Sequence, residues 1–140
     1  MKMRKRNGFT LIELLLVLVI LAALATVVVP KFTRRGEQAK VTAASTTIAN
    51  LETSLDAFEM DNDRFPTNSE GLKALVIKPS NADGWKQPYI KSVSKDPWGN
   101  EYIYKYPGQY NKYSFDLSSA GPDGQTGNDD DIKNWTEEKY

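Results

Sequence analysis

The chain has 140 residues, with 18 Lys and Arg against 18 Asp and Glu, and it has neither His nor Cys. That length allows one domain with an appendage, and the missing His and Cys exclude disulfides, thiolate metal sites, zinc fingers, HExxH zinc chemistry and a Ser–His–Asp triad. Zero net charge argues against a nucleic-acid partner, because such proteins usually carry a basic surplus.

The averages conceal a strong segregation. The first eight residues, MKMRKRNG, carry four cations and no anion, and 18 of the 21 residues from Phe9 to Val29 are apolar. As a helix that run would span about 31 Å, close to the hydrocarbon thickness of a bilayer. A helix buried in a core is the competing reading, but the remaining chain is small to enclose a rod apolar on every side. The positive-inside rule places MKMRKRNG in the cytoplasm and the body across the membrane. A cleaved secretory signal is also weighed. Ala22-Ala23-Leu24-Ala25 offers a weak cut site, yet the apolar run is too long and Glu13 fits poorly.

Glu13 is the most informative residue in the run. A carboxylate within a span is costly and usually functional; the bland alternative is a protonated or snorkelling Glu near the interface. If the chain were cut between Gly8 and Phe9, a new α-amine would lie four residues from Glu13. A neighbouring helix shifted by about one turn would set its amine against this carboxylate. Such a pair would neutralise two charges in low dielectric and fix the stagger between subunits.

Arg6-Asn7-Gly8 followed by Phe9-Thr10-Leu11-Ile12-Glu13 resembles the class III signal of type IV pilins and pseudopilins. The resemblance implies that a prepilin peptidase cuts after Gly8 and methylates the Phe9 amine. It also implies that Glu13 aids assembly by pairing with a neighbour's N-terminus.

Pro30 is expected to kink a continuous helix or to end the first one; the pilin resemblance implies a proline within one long helix. Val41, Ala44, Ile48, Leu51, Leu55 and Phe58 recur at helical spacing and form one apolar stripe, read as a packing face for the body. The helix should end near Asp61-Asn62-Asp63, ahead of Phe65-Pro66. Thr67 to Glu70 fits a capping box with Thr67 as N-cap, opening a short helix through Leu72, Leu75 and Val76. Residues 80–95 read as a loop anchored by Trp85 and Tyr89.

Tyr102, Tyr104 and Tyr106 alternate along one strand, Pro107-Gly108 marks a turn, and Tyr113, Phe115 and Leu117 alternate along a second. The aromatic face of this hairpin is expected to pack on the helix stripe. A carbohydrate-binding or base-stacking face is the competing reading. Three aspartates, Asp129, Asp130 and Asp131, then follow a Gly/Pro-rich turn that contains Asp123. Carboxylates and backbone carbonyls are the hard oxygen donors that Ca²⁺ takes. A solvated acidic loop is the alternative, and the EF-hand spacing is absent.

Asp96-Pro97-Trp98-Gly99, Gly121-Pro122-Asp123-Gly124 and Asp130-Asp131-Ile132 ahead of Asn134-Trp135 resemble the major pseudopilins of type II secretion, the general secretion pathway protein G family. Residues 61–67 and 71–75 match the same family. The resemblance implies an α+β, type IV pilin-like fold. Its long N-terminal helix, transmembrane and then amphipathic, packs on a small antiparallel sheet with a calcium-binding C-terminal loop. It divides the chain into a leader (1–8), a membrane and filament-core helix (9–29) and a periplasmic domain (30–140). It nominates the side chains of Asp123, Asp130 and Asp131 and the carbonyls of Ala120 and Gln125 as Ca²⁺ ligands, with Asn128 a further candidate.

The expected function is that of a non-enzymatic subunit. It is inserted once in the bacterial inner membrane and polymerises with itself and with minor pseudopilins into a periplasmic pseudopilus. An inner-membrane platform would drive assembly, and folded cargo would leave through an outer-membrane secretin. A type IV pilin for adhesion, motility or DNA uptake is the rival within the superfamily, disfavoured by the absence of Cys. A membrane-anchored metal-dependent hydrolase using Asp123 and Asp130 as acid and base is the rival from another class.

Overall fold

The computed structural model describes residues 8–136, except for the side chains of residues 27–34 within the long helix. Residues 1–7 of the basic leader therefore lie outside the described residues. The elements are α1 (Leu11–Asn62), a 3₁₀ turn η1 (Gly71–Leu75), β1 (Ile103–Lys105), β2 (Asp116–Ser119) and β3 (Ile132–Lys133). The chain divides into two compact units after Glu37.

In the first unit α1 opens on a capping box that the sequence reading did not identify. The Glu13 amide donates to Thr10 Oγ1 at 3.3 Å, and the Thr10 amide donates back to Glu13 Oε2 at 3.5 Å. Its apolar residues are exposed all round: Leu11 is 82 % exposed, Leu18 56 % and Leu24 56 %. Among the described residues no helix is long and apolar enough to cross a membrane. The apolar run read from the sequence continues through Val27, Val28 and Val29, whose side chains fall outside those described. The helix runs through position 30 without a break, so Pro30 neither ends it nor splits it in two.

In the second unit the expected stripe is the core. Ala44, Ile48, Leu51, Leu55 and Phe58 are buried, and Val41 is half-buried at the end of the row. Ile48, Leu51, Leu55 and Phe58 pack with Leu72, Leu75, Ala82, Tyr102, Phe115 and Leu117. Each fully buried side chain of this size contributes about 1.5–3 kcal/mol by leaving water. The helix stops at Asn62, and Asp63 then adopts φ 54°, a left-handed exit that terminates the hydrogen-bond ladder.

The capping-box bonds at Thr67 and Glu70 form as expected, at 2.8 and 3.3 Å, but they cap a turn rather than an α-helix. The helix there is a five-residue 3₁₀ segment that starts at Gly71 and stops before Val76. Arg64 supplies the reason. Its guanidinium grips the same Glu70 carboxylate at 2.7 and 3.0 Å and lies over the Phe58 ring, tying the segment back to the end of α1. The 80–95 loop is anchored as read. Trp85 Nε1 donates to the Ala74 carbonyl at 2.9 Å, and the Tyr89 hydroxyl donates to Asp61 at 2.9 Å.

The sheet is antiparallel in the order β1-β2-β3, with Tyr104 opposite Leu117 and Ser119 opposite Ile132. The first strand shows the expected alternation, with Tyr102 buried and Tyr104 and Tyr106 half-buried. The second strand is a correction: Tyr113 is fully exposed, and the strand begins only at Asp116. The buried Asp116 carboxylate accepts the amides of Gln109, Tyr110 and Asn111 at 2.6, 3.1 and 2.9 Å. Residues 111–114 are thereby closed into a turn that carries Tyr113 outward. The third strand, Ile132–Lys133, is an addition to the hairpin read from the sequence.

Candidate functional site

Two places hold the residues that the sequence singled out. The first is the N-terminal end of α1. Gly8, Phe9 and Thr10 precede the helix and are exposed, with Phe9 81 % so. Gly8 has open space around its α-carbon, consistent with a chain that an extended-substrate cleft could take up. Glu13 stands in the first turn of α1, where a carboxylate is favoured by the free amides and the positive end of the helix dipole. Its carboxylate accepts the Thr10 amide at 3.5 Å, at the outer limit of hydrogen-bond length.

The second place is the loop between β2 and β3. The pairing of Ser119 with Ile132 closes residues 120–131 into a loop whose ends are neighbours. Asp130 and Asp131 therefore return beside Ala120 and Gly121, as an ion site would require. At Gly121, with φ 65°, a β-carbon would collide with the Asp130 carbonyl, so only glycine permits this approach.

Within the loop the carboxylates are engaged by donors of their own chain. Asp123 accepts the Gln125 amide at 2.8 Å with Oδ1 and the Asn128 side-chain amide at 2.8 Å with Oδ2. Asp130 accepts the Asp123 amide at 3.4 Å, and Asp131 accepts the Gly127 amide at 2.7 Å. Asp123, Asn128 and Asp130 are thus linked through hydrogen bonds, while Asp129 is exposed. Among the described residues no group of three or more acidic side chains converges as a metal cluster. Like charges that have only amide donors between them are expected to stay apart.

The loop nevertheless fits a hard cation by another observation. Asn128 Oδ1 and Asp131 Oδ1 are buried with no hydrogen-bond partner among the described residues. A buried unsatisfied oxygen costs about 1–3 kcal/mol. Two such oxygens in one loop of carboxylates, amides and carbonyls are what an oxygen-seeking cation such as Ca²⁺ would satisfy. Of the two residues whose carbonyls are nominated, Ala120 is buried and Gln125 is exposed.

Several residues that support the site carried no role in the sequence reading. Asp96 is buried and accepts the Ser119 hydroxyl at 2.6 Å. Asn134 accepts the Leu117 amide at 2.8 Å and donates to Glu52 of α1 at 3.0 Å. Trp135 stacks on Tyr110 with centroids 4.6 Å apart and planes 7° from parallel. The Asp-Pro-Trp-Gly signature does announce a turn around Asp96. Its partner lies 23 residues away, where no local pattern points.

Residues 31–135 match the family described as type II secretion system (T2SS), protein G. Residues 3–29 match the prokaryotic N-terminal methylation motif. The type II secretion system core protein G of Pseudomonas aeruginosa is 46 % identical over 140 residues, covering 96 % of this chain and 99 % of that protein. The protein of the same name from Aeromonas hydrophila is 45 % identical over 139 residues, covering 96 % of each. The crystal structure of the major pseudopilin from the type 2 secretion system of enterohaemorrhagic Escherichia coli is similar with a TM-score of 0.65 at 38 % identity. That match covers 72 % of this chain and 87 % of the other.

Proposed function

Because the chain belongs to the type II secretion system protein G family, we propose that it is the major pseudopilin, the repeating subunit of a periplasmic pseudopilus. The observation that carries this reading is the exposed apolar rod that begins at Leu11 with Glu13 in its first turn. A rod exposed on every side requires lipid or copies of itself around it. Bilayer and filament core both meet that need, so extraction from one into the other need not bring apolar surface into water. A heterologous contact that does not close then propagates as a filament.

The precursor is inserted once in the inner membrane with its basic leader in the cytoplasm. A prepilin peptidase removes residues 1–8 and methylates the amine of Phe9. Glu13 then pairs with the Phe9 ammonium of a neighbouring subunit and sets the stagger of the rods. Minor pseudopilins, an inner-membrane assembly platform and, indirectly, the outer-membrane secretin are its partners. The subunit is a structural element and not a catalyst.

Asp123, Asn128, Asp130 and Asp131, with the carbonyls of Ala120 and Gln125, would hold one Ca²⁺. Bound there, the ion would supply positive charge among the three consecutive aspartates. The unpartnered oxygens of Asn128 and Asp131 support this assignment.

Mass spectrometry of the protein from native membranes tests the processing step. A mature chain that starts at N-methylated Phe9 is expected. A chain that keeps residues 1–8, or that begins after Ala25, would refute the pseudopilin reading. Secretion of folded cargo that fails on calcium depletion would separate this role from that of an adhesive or motility pilin.

A further inference from the structure

Asp96 stands far from the C-terminal loop in sequence, yet it is built into its base. Its Oδ1 accepts the Trp98 and Asn100 amides at 3.1 and 2.8 Å and closes its own turn. Its Oδ2 is left to accept the Ser119 hydroxyl at 2.6 Å. Both residues are buried, at 5 % and 0 % exposure. A hydroxyl that gives its one proton to a carboxylate presents only lone pairs elsewhere. The Gly121 amide meets such a lone pair, donating to Ser119 Oγ at 3.2 Å. The amide of Gly121 belongs to the same rigid peptide plane as the carbonyl of Ala120. In a trans peptide those two groups point in opposite directions. Holding the Gly121 amide on Ser119 therefore aims the Ala120 carbonyl to the other side. The 96–100 turn also lies beside the loop at Gly124, where an added β-carbon would come within 3.4 Å of Asn100 Nδ2.

We propose that Asp96 and Ser119 are positioning residues of the ion loop: the Asp96 carboxylate orients the Ser119 hydroxyl, which holds the Gly121 amide and thereby fixes the Ala120 carbonyl as a preformed ligand. The inference rests on the calcium assignment made above. It adds that the site is set by a turn 23 residues away before any ion arrives. Ser119→Ala removes the relay atom. Asp96→Asn replaces an acceptor by a donor on one side, so the Trp98 and Asn100 amides and the Ser119 hydroxyl can no longer all be served.

The test is calorimetric titration of CaCl₂ into the full chain in detergent, with thermal melting in chelator as the control for folding. Ser119→Ala and Asp96→Asn are expected to bind calcium about 10–100-fold more weakly, the usual effect of groups that orient ligands. Ser119→Thr, which keeps the hydroxyl, is expected to bind like the wild type. Folded Ser119→Ala and Asp96→Asn with wild-type affinity would overturn the relay and leave the calcium assignment standing. A wild-type chain that binds no calcium would overturn both. A readout on the unaltered chain is independent of how the variants fold. In chelator the Gly121 amide is expected to be protected from hydrogen exchange, and rapid exchange there would refute a preformed relay.

Discussion

Asp131→Asn is expected to change the sign of its effect on stability with calcium. Asp131 Oδ2 accepts the Gly127 amide, and Oδ1 is buried with no hydrogen-bond partner among the described residues. An asparagine carbonyl can still accept that amide, and the substitution removes one charge beside Asp129 and Asp130. In chelator the variant should therefore melt at or slightly above the wild-type temperature. Under the proposed assignment, calcium is expected to reverse the order. At a free concentration of 100 Kd a ligand that binds only the folded form adds about 2.7 kcal/mol. Loss of one ligand charge, taken as about 100-fold in Kd, would leave about 0.4 kcal/mol. The difference of about 2.3 kcal/mol corresponds to roughly 10 °C in a domain of this size. Thermal melts of both chains, each in chelator and in calcium, measure it. The same calcium-induced gain in both chains would refute the assignment of Asp131 as a ligand, and a variant destabilised equally in both buffers would show a merely structural role.

The Arg64–Glu70 strap gives a pH dependence. The hydrogen bond from Arg64, with help from Thr67, holds the Glu70 carboxyl down at about 2, below its ordinary 4.5. Its contribution is then fully present above pH 4.5 and is lost as pH falls from about 4.5 toward 2. With both side chains partly in water it amounts to roughly 1–2 kcal/mol. Glu70→Gln should cost that much at pH 7 and much less near pH 2, and a gap independent of pH in denaturant titrations would refute it. Leu55→Ala, at a fully buried position of the stripe, should cost about 2–5 kcal/mol in the same titrations; a loss under 1 kcal/mol would contradict the packing described. Glu13→Ala should be inserted and processed but form few filaments, and a wild-type yield by shearing and electron microscopy would break the pairing argument.

The parts of this fold that were legible in sequence are those governed by one period. The stripe from Ala44 to Phe58 repeats every three or four residues because one face of α1 meets the core, and burial follows that spacing residue by residue. The tyrosines of the first strand alternate for the same kind of reason. Alternation then misleads at Tyr113, because the Asp116 carboxylate captures three amides and turns the chain. Capture of backbone amides by a side chain leaves no periodic trace. Strand β3 has two residues, too few for any period to register. In the 120–131 loop, residue chemistry marks an acidic, glycine-rich segment, and the family resemblance nominates Asp123, Asp130 and Asp131 within it. Asp96 and Ser119 stayed hidden because a contact across 23 residues depends on the register of β2. At the N-terminus, Glu13 was read for its charge, and its place in a capping box with Thr10 went unread.

Asn134 decides whether the ion loop is mechanically joined to the helix. Its side chain accepts the amide of Leu117 in β2 and donates to the Phe115 carbonyl and to Glu52 of α1. Its own amide donates to the Leu117 carbonyl at 3.0 Å, so residue 134 carries on from β3 along the central strand. One side chain therefore clamps the return of the loop to the sheet and to α1 together. Asn134→Ala would strip the acceptor from the amide of Leu117, a fully buried residue, at about 1–3 kcal/mol. This loss differs from that of a ligand, because it should appear in chelator as well as in calcium. Calcium should still bind, but less tightly, since part of its binding free energy would go into ordering β3. Melts of Asn134→Ala in both buffers, read beside those of Asp131→Asn, separate the two effects. If Asn134→Ala melts like the wild type in chelator, the clamp does not hold, and the loop closes by its ion alone.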